Sequence, residues 1–162
     1  MSKIFIIMGV SGSGKSTIAK LLSVKTGIPF FDGDAFHPQK NIDKMSHGIP
    51  LNDEDREPWL ETLNLKLKQC KKTKGAILAC SALKESYREI LSAEIDVRWI
   101  FLKGDIELIG KRLLQRSAHF MSASLLQSQF DCLEEPKYGT KISIANTPEA
   151  MVQEILTTQQ YG

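Results

Sequence analysis

The feature that most constrains the fold is an apolar run that leads directly into a glycine-rich loop. Residues 3–8 read Lys-Ile-Phe-Ile-Ile-Met, as expected for a buried parallel strand. The next eight residues, Gly9-Val10-Ser11-Gly12-Ser13-Gly14-Lys15-Ser16, match G-x-x-x-x-G-K-[ST] at every specified position. A helical pattern follows from Gly14 to Lys25. A strand, this loop and a helix in that order predict a loop that cradles phosphate groups.

The residues of this loop suggest which phosphate ligand it holds. The glycines let successive backbone N–H groups of Gly9 to Thr17 face the phosphates, and the helix start adds its positive dipole end. Lys15 can reach the β- and γ-phosphates, and the Ser16 hydroxyl can bind Mg²⁺. Mg-ATP is therefore the expected ligand. The alternative is a glycine turn with an incidental lysine.

Apolar runs and helical patterns alternate along the rest of the chain. Further strands are predicted at 29–31, 76–80, 97–102 and 141–145, and further helices at 52–70, 83–91, 105–116, 122–133 and from Pro148. No linker-like stretch divides the 162 residues. The pattern predicts one α/β domain over residues 1–162, a three-layer sandwich around a mostly parallel five-stranded sheet.

Composition excludes several functional classes. The 21 basic and 19 acidic residues leave a net charge of +2, too small to suggest a nucleic-acid surface. Cys70, Cys80 and Cys132 form no C-x-x-C pair, and this favours reduced thiols over a disulfide framework or zinc site. The apolar run at residues 4–8 is too short for a signal peptide or membrane span. We expect a cytoplasmic protein with neither a membrane nor a nucleic-acid partner.

The phosphate loop alone does not separate kinases from switches and motors. A GTPase should carry an Asn-Lys-x-Asp element, and the sequence has none. An ABC or AAA-type ATPase should end a core strand with paired acids, whereas the strand at 77–80 runs into Ser81. A kinase for a small molecule is favoured. A nucleotide-binding or motor protein without a small-molecule acceptor is the alternative.

Two carboxylates follow the short second predicted strand. In an extended chain Asp32 and Asp34 point to one face, and if this strand neighbours the first, both lie at the carboxyl ends of the sheet. Asp32 could then hold a water on Mg²⁺, while Asp34 could accept the proton of an attacking hydroxyl. The alternative is a solvated Asp-Gly-Asp turn.

The segment Asp32-Gly33-Asp34-x-x-His37-Pro38 resembles the gluconokinases, small P-loop sugar-acid kinases related in fold to shikimate and adenylate kinases. Matching stretches continue in order over essentially the whole chain. They are Asn41 to Met45, Gly48 to Leu60, Cys80-Ser81-Ala82-Leu83-Lys84-x-x-Tyr87-Arg88, His119-Phe120 and Leu125 to Pro136. One departure is Ala118, where relatives often have glycine. It lies in the segment at about 117–136 that the resemblance identifies as a lid, so the resemblance predicts the hinge of that lid less well than the chemistry.

The resemblance implies a P-loop NTPase fold of the nucleoside and shikimate kinase type with a helical lid at about 117–136. It implies ATP-dependent phosphorylation of D-gluconate at its 6-hydroxyl, giving 6-phospho-D-gluconate and ADP, with Mg²⁺ as cofactor. It also suggests a homodimer. A kinase for shikimate or another small hydroxy acid on the same fold is the closest alternative.

Basic residues are the candidates for substrate and nucleotide contacts. Lys84 and Arg88 are spaced i, i+4 on a predicted helix and could bind the substrate carboxylate together with Arg56 as a bidentate clamp. A solvated basic face is the alternative. His37 could hydrogen-bond the substrate or be a structural loop residue, and we expect Trp59 to pack under the substrate helix.

The resemblance to related kinases with a lid also assigns roles to two further arginines. In related kinases the first arginine at this position stacks on adenine and the second contacts the phosphates, which correspond here to Arg112 and Arg116. The alternative is a pair of surface arginines at a helix C-terminus. The resulting mechanism is in-line transfer: Lys15, Arg116 and Mg²⁺ neutralise the phosphoryl charge, and Asp34 deprotonates the hydroxyl.

Overall fold

A computed structural model describes residues 3–115 and 123–160 of the chain. Five strands form one parallel sheet, in the order β2-β3-β1-β4-β5. They are β1 (Ile4–Met8), β2 (Phe30–Asp32), β3 (Ala76–Ala79), β4 (Arg98–Lys103) and β5 (Thr140–Ser143). The described helices are α1 (Lys15–Thr26), α2 (Gln39–Ser46), α3 (Asp53–Lys71), α4 (Glu85–Leu91), α5 (Ile106–Leu114), α6 (Ala123–Cys132) and α7 (Pro148–Gln160). The predicted α/β class and five-stranded sheet are confirmed.

The central strand β1 explains why the first apolar run does not alternate with polar residues. It pairs with β3 on one side and β4 on the other, and all five of its residues are buried. Phe5 and Ile7 face a core shared with α1, α5, α6 and α7. Ile6 and Met8 face a second core shared with α3 and α4. Because helices cover both faces of the sheet, the three-layer prediction is also confirmed.

The carboxyl ends of the parallel strands all meet at one edge of the sheet. The segments that leave these ends begin at Gly9 after β1, Gly33 after β2, Cys80 after β3 and Gly104 after β4. Ligands of open α/β sheets bind outside this edge, where the strand order reverses direction along the chain. The fold therefore brings the glycine-rich loop and the Asp-Gly-Asp segment to the same edge.

Helix α3 starts at a reciprocal cap. The Asn52 side chain accepts a hydrogen bond from the Asp55 N–H at 2.8 Å, and the Asp55 carboxylate accepts one from the Asn52 N–H at 3.0 Å. Pro58 is the sixth residue of the helix, so α3 lacks the one N–H bond that this position would otherwise donate to the Glu54 carbonyl. This start places Arg56 and Trp59 beside the carboxyl ends of the strands.

The sequence patterns missed one helix and misplaced the start of another. The helix α2 was not predicted because only two of its eight residues are apolar, Ile42 and Met45, and both are exposed. Helix α4 begins at Glu85 rather than at residue 83, since Lys84 is extended and forms the N-cap. No helix in the described ranges combines the length and the apolar character needed to cross a bilayer.

Candidate active site

A cleft of about 790 Å³ opens at the carboxyl ends of the strands. Of the predicted site residues, those that line it are Ser11, Gly12, Gly14, Lys15, Ser16, Thr17, Asp32, Asp34, His37 and Arg56. The cleft is completed by residues 48–51, by residues 79–81 at the carboxyl end of β3 and by α6. Gly9, Val10, Ser13, Lys84, Arg88 and Arg112 lie outside the lining. The cleft thus joins the phosphate loop to the Asp-Gly-Asp segment.

The glycine-rich loop has the curled backbone that its sequence predicts. Gly12 and Gly14 have φ angles of 82° and 95°, which disfavour residues with a side chain. A Cβ at Gly12 would also lie 2.9 Å from Leu113 Cγ on α5. The Lys15 ammonium donates to the Val10 carbonyl at 3.0 Å and so folds back over the loop. Gly12 is therefore needed for the loop to pack against α5, and Gly14 for the left-handed backbone turn into α1.

Asp32 links the end of β2 to the phosphate loop. Its Oδ2 accepts a hydrogen bond from the Ser16 hydroxyl at 3.1 Å, and its Oδ1 accepts one from the Asp34 N–H at 3.0 Å. The premise that β2 neighbours β1 is wrong, because β3 lies between them. Asp32 still reaches Ser16 because both lie at the same sheet edge. The two oxygen groups form the kind of hard-ligand pair that suits Mg²⁺.

Asp34 reaches the cleft in a different way from the one predicted. The chain enters a 3₁₀ turn at residues 33–36, so Asp32 and Asp34 do not share one extended segment. Gly33 makes this turn possible, since a Cβ there would lie 2.9 Å from the Ala79 carbonyl oxygen. The Asp34 side chain is 89% exposed and faces the cleft. A carboxylate in this position is accessible to a substrate hydroxyl.

His37 packs tightly beside Asp34. Its ring stacks on Trp59 with centroids 4.0 Å apart, and its Nε2 lies 3.9 Å from Asp34 Oδ1. Burial lowers the pKa of His37; Asp34 opposes this effect and Arg56 adds to it. Trp59 is itself buried and donates its indole N–H to the Gly33 carbonyl at 2.8 Å, as its expected packing role requires.

Arg56 is held at the cleft by a polar network. Its Nη1 donates to the Leu51 carbonyl at 2.6 Å and to the Tyr87 hydroxyl at 3.2 Å. The Tyr87 hydroxyl in turn donates to Asp53 at 2.5 Å, and this bond is the main reason that the pKa of Asp53 is lowered. A guanidinium fixed in this way is suited to binding a carboxylate with little loss of side-chain entropy.

Lys84 and Arg88 do not form the predicted basic face. Lys84 precedes α4, and its ammonium lies 3.5 Å from Asp53. The Arg88 side chain is 2% exposed and points inward. Its guanidinium donates to the carbonyls of Ala82, Leu83 and Glu134 at 2.7, 3.3 and 2.7 Å. The shared-face prediction is therefore wrong, and a substrate contact of Arg88 stays a prediction without geometric support.

The predicted lid is described in part. Arg116 and residues 117–122 lie outside the described residues, so the roles assigned to Arg116 and to the Ala118 hinge stay predictions. Arg112 donates to the Ile144 carbonyl at 2.5 Å, and its predicted stacking on adenine stays a prediction. The described remainder of the lid is α6 and residues 133–136.

Two site residues received no role from the sequence patterns. Gln129 on α6 accepts a hydrogen bond from the Ser11 N–H at 2.7 Å and donates to the Ser11 hydroxyl at 3.0 Å. Asn41 on α2 is fully buried beside His37. Both lie in stretches that resemble the gluconokinases, and that resemblance is the sequence signal that could have found them.

Comparisons with known proteins agree with this geometry. A family model described as shikimate kinase matches residues 11–158. The thermosensitive gluconokinase of Escherichia coli (strain K12) is 45% identical, with 96% of this chain and 89% of the relative covered. The gluconokinase of Arabidopsis thaliana is 43% identical, with 95% and 90% covered. The crystal structure of a gluconokinase from Sinorhizobium meliloti 1021 is 39% identical, with a TM-score of 0.87 and coverages of 96% and 90%. With this level of identity over nearly its whole length, the chain belongs to the gluconokinase family, on the fold that it shares with the shikimate kinases.

Proposed function

We propose that this protein transfers the γ-phosphate of ATP to the 6-hydroxyl of D-gluconate, giving 6-phospho-D-gluconate and ADP. The observation that carries the proposal is the single cleft in which the phosphate loop, Asp34 and Arg56 meet. Identities of 43–45% to gluconokinases over almost the whole chain support D-gluconate as the acceptor.

The phosphate loop has a feature that fits a nucleotide. The Ser11 N–H donates to the side-chain oxygen of Gln129, an acceptor that comes from another element. A phosphate oxygen is an acceptor of the same kind but carries charge, so its bond to this N–H would be stronger. Lys15 lies over the same loop and supplies positive charge. These groups suit the β- and γ-phosphates of ATP.

Ser16 and Asp32 are the residues that would hold Mg²⁺. Their oxygens lie 3.1 Å apart at the N-terminal end of α1, where Ser16 would bind the ion and Asp32 would hold one of its waters. When bound, Mg²⁺ neutralises charge on the phosphates.

In the proposed mechanism the acceptor lies between Asp34 and the phosphate loop. Arg56 binds the carboxylate of gluconate, with the fixed geometry that its bonds to Leu51 and Tyr87 provide. Asp34 accepts the proton of the 6-hydroxyl as the oxygen attacks the γ-phosphorus. Lys15, with Arg116 from the lid, stabilises the charge on the transferred group.

The two alternatives differ in their acceptor. The family model that matches the chain is described as shikimate kinase, so shikimate or a similar hydroxy acid is the closest competitor. The weaker alternative is an ATPase that needs no acceptor. Release of ADP measured by a coupled assay, with gluconate, other sugar acids, shikimate, nucleoside monophosphates or no acceptor, separates these cases.

The assay has a clear expected pattern. ADP release should depend on gluconate, and ³¹P NMR of the product should show a phosphomonoester on the 6-carbon. Lys15→Ala should abolish the gluconate-dependent release of ADP, while Lys20→Ala, on the exposed side of the same helix, should not. ADP release that is equal without an acceptor, or that requires shikimate instead, would overturn the proposal.

Three further properties belong to the same proposal: a cytoplasmic location, a single domain with a lid over residues 117–136, and a homodimer. They rest on the resemblance to the family and on the composition of the chain. Light scattering of the purified protein tests the dimer, since a mass near 18.1 kDa would identify a monomer.

A further inference from the structure

The amide of Asn41 lies under the imidazole of His37, and its orientation is dictated by a third group. Asn41 is 0% exposed. Its Nδ2 lies 3.0 Å from the backbone carbonyl oxygen of Asp55 and 3.2 Å from His37 Nδ1. Because a carbonyl oxygen can only accept, the nitrogen of the amide has to face Asp55. The opposite orientation would set two oxygens against each other.

This orientation determines where the proton of His37 lies. The two N–H bonds of Asn41 Nδ2 are directed to the Asp55 carbonyl and to His37 Nδ1, so Nδ1 has to accept. In a neutral imidazole the proton is then on Nε2. Protonating Nδ1 would bring two N–H groups together inside a site where the His37 side chain is 4% exposed. Asn41 therefore disfavours the imidazolium as well as the other tautomer.

The proton on Nε2 faces the reacting side of the cleft. Nε2 lies 3.9 Å from Asp34 Oδ1, too far for a direct hydrogen bond but close enough to bind the same substrate. A neutral donor in this position can bind a substrate oxygen without pairing ionically with Asp34.

We propose that Asn41 is a positioning residue that fixes His37 as the neutral Nε2–H tautomer, so that Nε2–H donates a hydrogen bond to a polyol or carboxylate oxygen of the substrate beside Asp34. This role in catalysis rests on the proposed function, whereas the tautomer itself does not. The charged groups that face His37 are Asp34 from the 3₁₀ turn and Arg56 from α3.

Nitrogen-15 NMR of the full-length wild-type protein measures the tautomer directly. At a pH where the imidazoles are neutral, long-range proton–nitrogen spectra distinguish protonated from unprotonated ring nitrogens. His47 is an internal reference, because its Nδ1 lies 2.7 Å from the Asp43 carbonyl oxygen and has to donate. Single substitutions of His37, His47 and His119 by Gln assign the signals. We expect His37 to be protonated on Nε2 and His47 on Nδ1, and an Nδ1–H signal for His37 would overturn the proposal whatever substrate the enzyme uses.

Asn41→Asp tests the functional consequence. The carboxylate can only accept, so His37 Nδ1 then has to carry a proton and the pKa of His37 rises. We expect kcat/KM for gluconate to fall roughly 3- to 10-fold at neutral pH and not to recover as the pH rises through the raised pKa of His37, because neutral His37 would keep its proton on Nδ1 and lack the Nε2–H donor.

Asn64→Asp is the matched control. Asn64 is a buried residue of α3 whose Nδ2 also donates to two carbonyls, those of Leu91 and Ala93. The Asn64→Asp variant should lose about as much stability as Asn41→Asp but keep the wild-type His37 signal and pH profile. An Asn41→Asp enzyme whose profile and His37 signal match those of wild type and of this control would contradict the role of Asn41. If Asn41→Asp does not fold, the nitrogen-15 spectrum of the wild-type protein alone tests the tautomer of His37.

Discussion

Replacing Arg88 by alanine should damage the stability of the protein much more than its affinity for substrate. The guanidinium is 2% exposed and donates to the carbonyls of Ala82, Leu83 and Glu134. It also contacts the Glu85 carboxylate at 3.2 Å and the Tyr138 hydroxyl at 2.9 Å. The Arg88 side chain thus connects the segment after β3 to the segment that follows α6 through hydrogen bonds.

The magnitude follows from the groups that alanine would leave unpaired. A buried acceptor that loses its partner costs about 1–3 kcal/mol, and removing one member of a buried charged network costs about 3–5 kcal/mol. The three carbonyls together could cost more than this, but water can enter part of the space that the Arg88 side chain leaves and solvate some of them. We therefore expect a loss of about 3–5 kcal/mol in the free energy of unfolding. For a domain of this size the melting temperature should fall by roughly 6–20 °C.

Thermal unfolding followed by circular dichroism, together with gluconate kinetics below the melting range, measures both effects. The KM for gluconate should change less than about threefold, because the side chain does not line the cleft. Arg98→Ala is the control: Arg98 is partly buried and donates to Gln159, so its loss should cost about 1 kcal/mol. An unchanged melting temperature with a KM raised about tenfold or more would refute this reasoning and restore Arg88 as a substrate clamp.

Three other predictions concern the base, the α3 cap and the thiols. Asp34→Asn should lower kcat by about 100-fold or more with nearly unchanged ATP affinity, and near-normal turnover would remove Asp34 from the role of base. Asn52→Ala breaks the reciprocal cap of α3 and should cost about 1 kcal/mol; an unchanged denaturant midpoint would show that the cap contributes nothing. Burial raises the pKa of Cys80 to about 12, so at pH 8 its thiolate fraction is negligible and the exposed Cys132 should react first with a thiol reagent. Labelling of Cys80 in the native state at a comparable rate would contradict this prediction.

The fold was predictable because each local pattern agrees with the three-layer arrangement. The run at residues 4–8 is apolar throughout, as burial on both faces of β1 requires. The Gly-Lys-Ser segment marks the start of α1, and Asp105 caps α5 as expected, with its Oδ1 accepting from the Leu108 N–H at 2.8 Å. Strand order was not accessible in the same way, since pairing of β2 with β3 depends on packing between distant segments.

The role of a site residue was predictable where the chemistry of its side chain alone suggests that role. It was less predictable where burial and hydrogen-bond partners determine what the side chain can contact. Asp32 reaches Ser16 although the premise about neighbouring strands was wrong, because all parallel strands end at one edge. Arg88 was misread because i, i+4 spacing with Lys84 shows which residues share a helical face but not which face is buried, and here the helix starts after Lys84. The contact between Gln129 and Ser11 joins residues 118 positions apart, which no local pattern reveals.

The proposed function requires that one cleft bring the terminal phosphate of ATP and the 6-hydroxyl of gluconate together beside Asp34. A crystal structure with a non-hydrolysable ATP analogue, Mg²⁺ and D-gluconate tests it most directly. We expect the phosphates on the loop at Gly9 to Ser16 and the 6-hydroxyl within hydrogen-bond distance of the Asp34 carboxylate. Gluconate bound with that hydroxyl remote from both Asp34 and the γ-phosphate would contradict it.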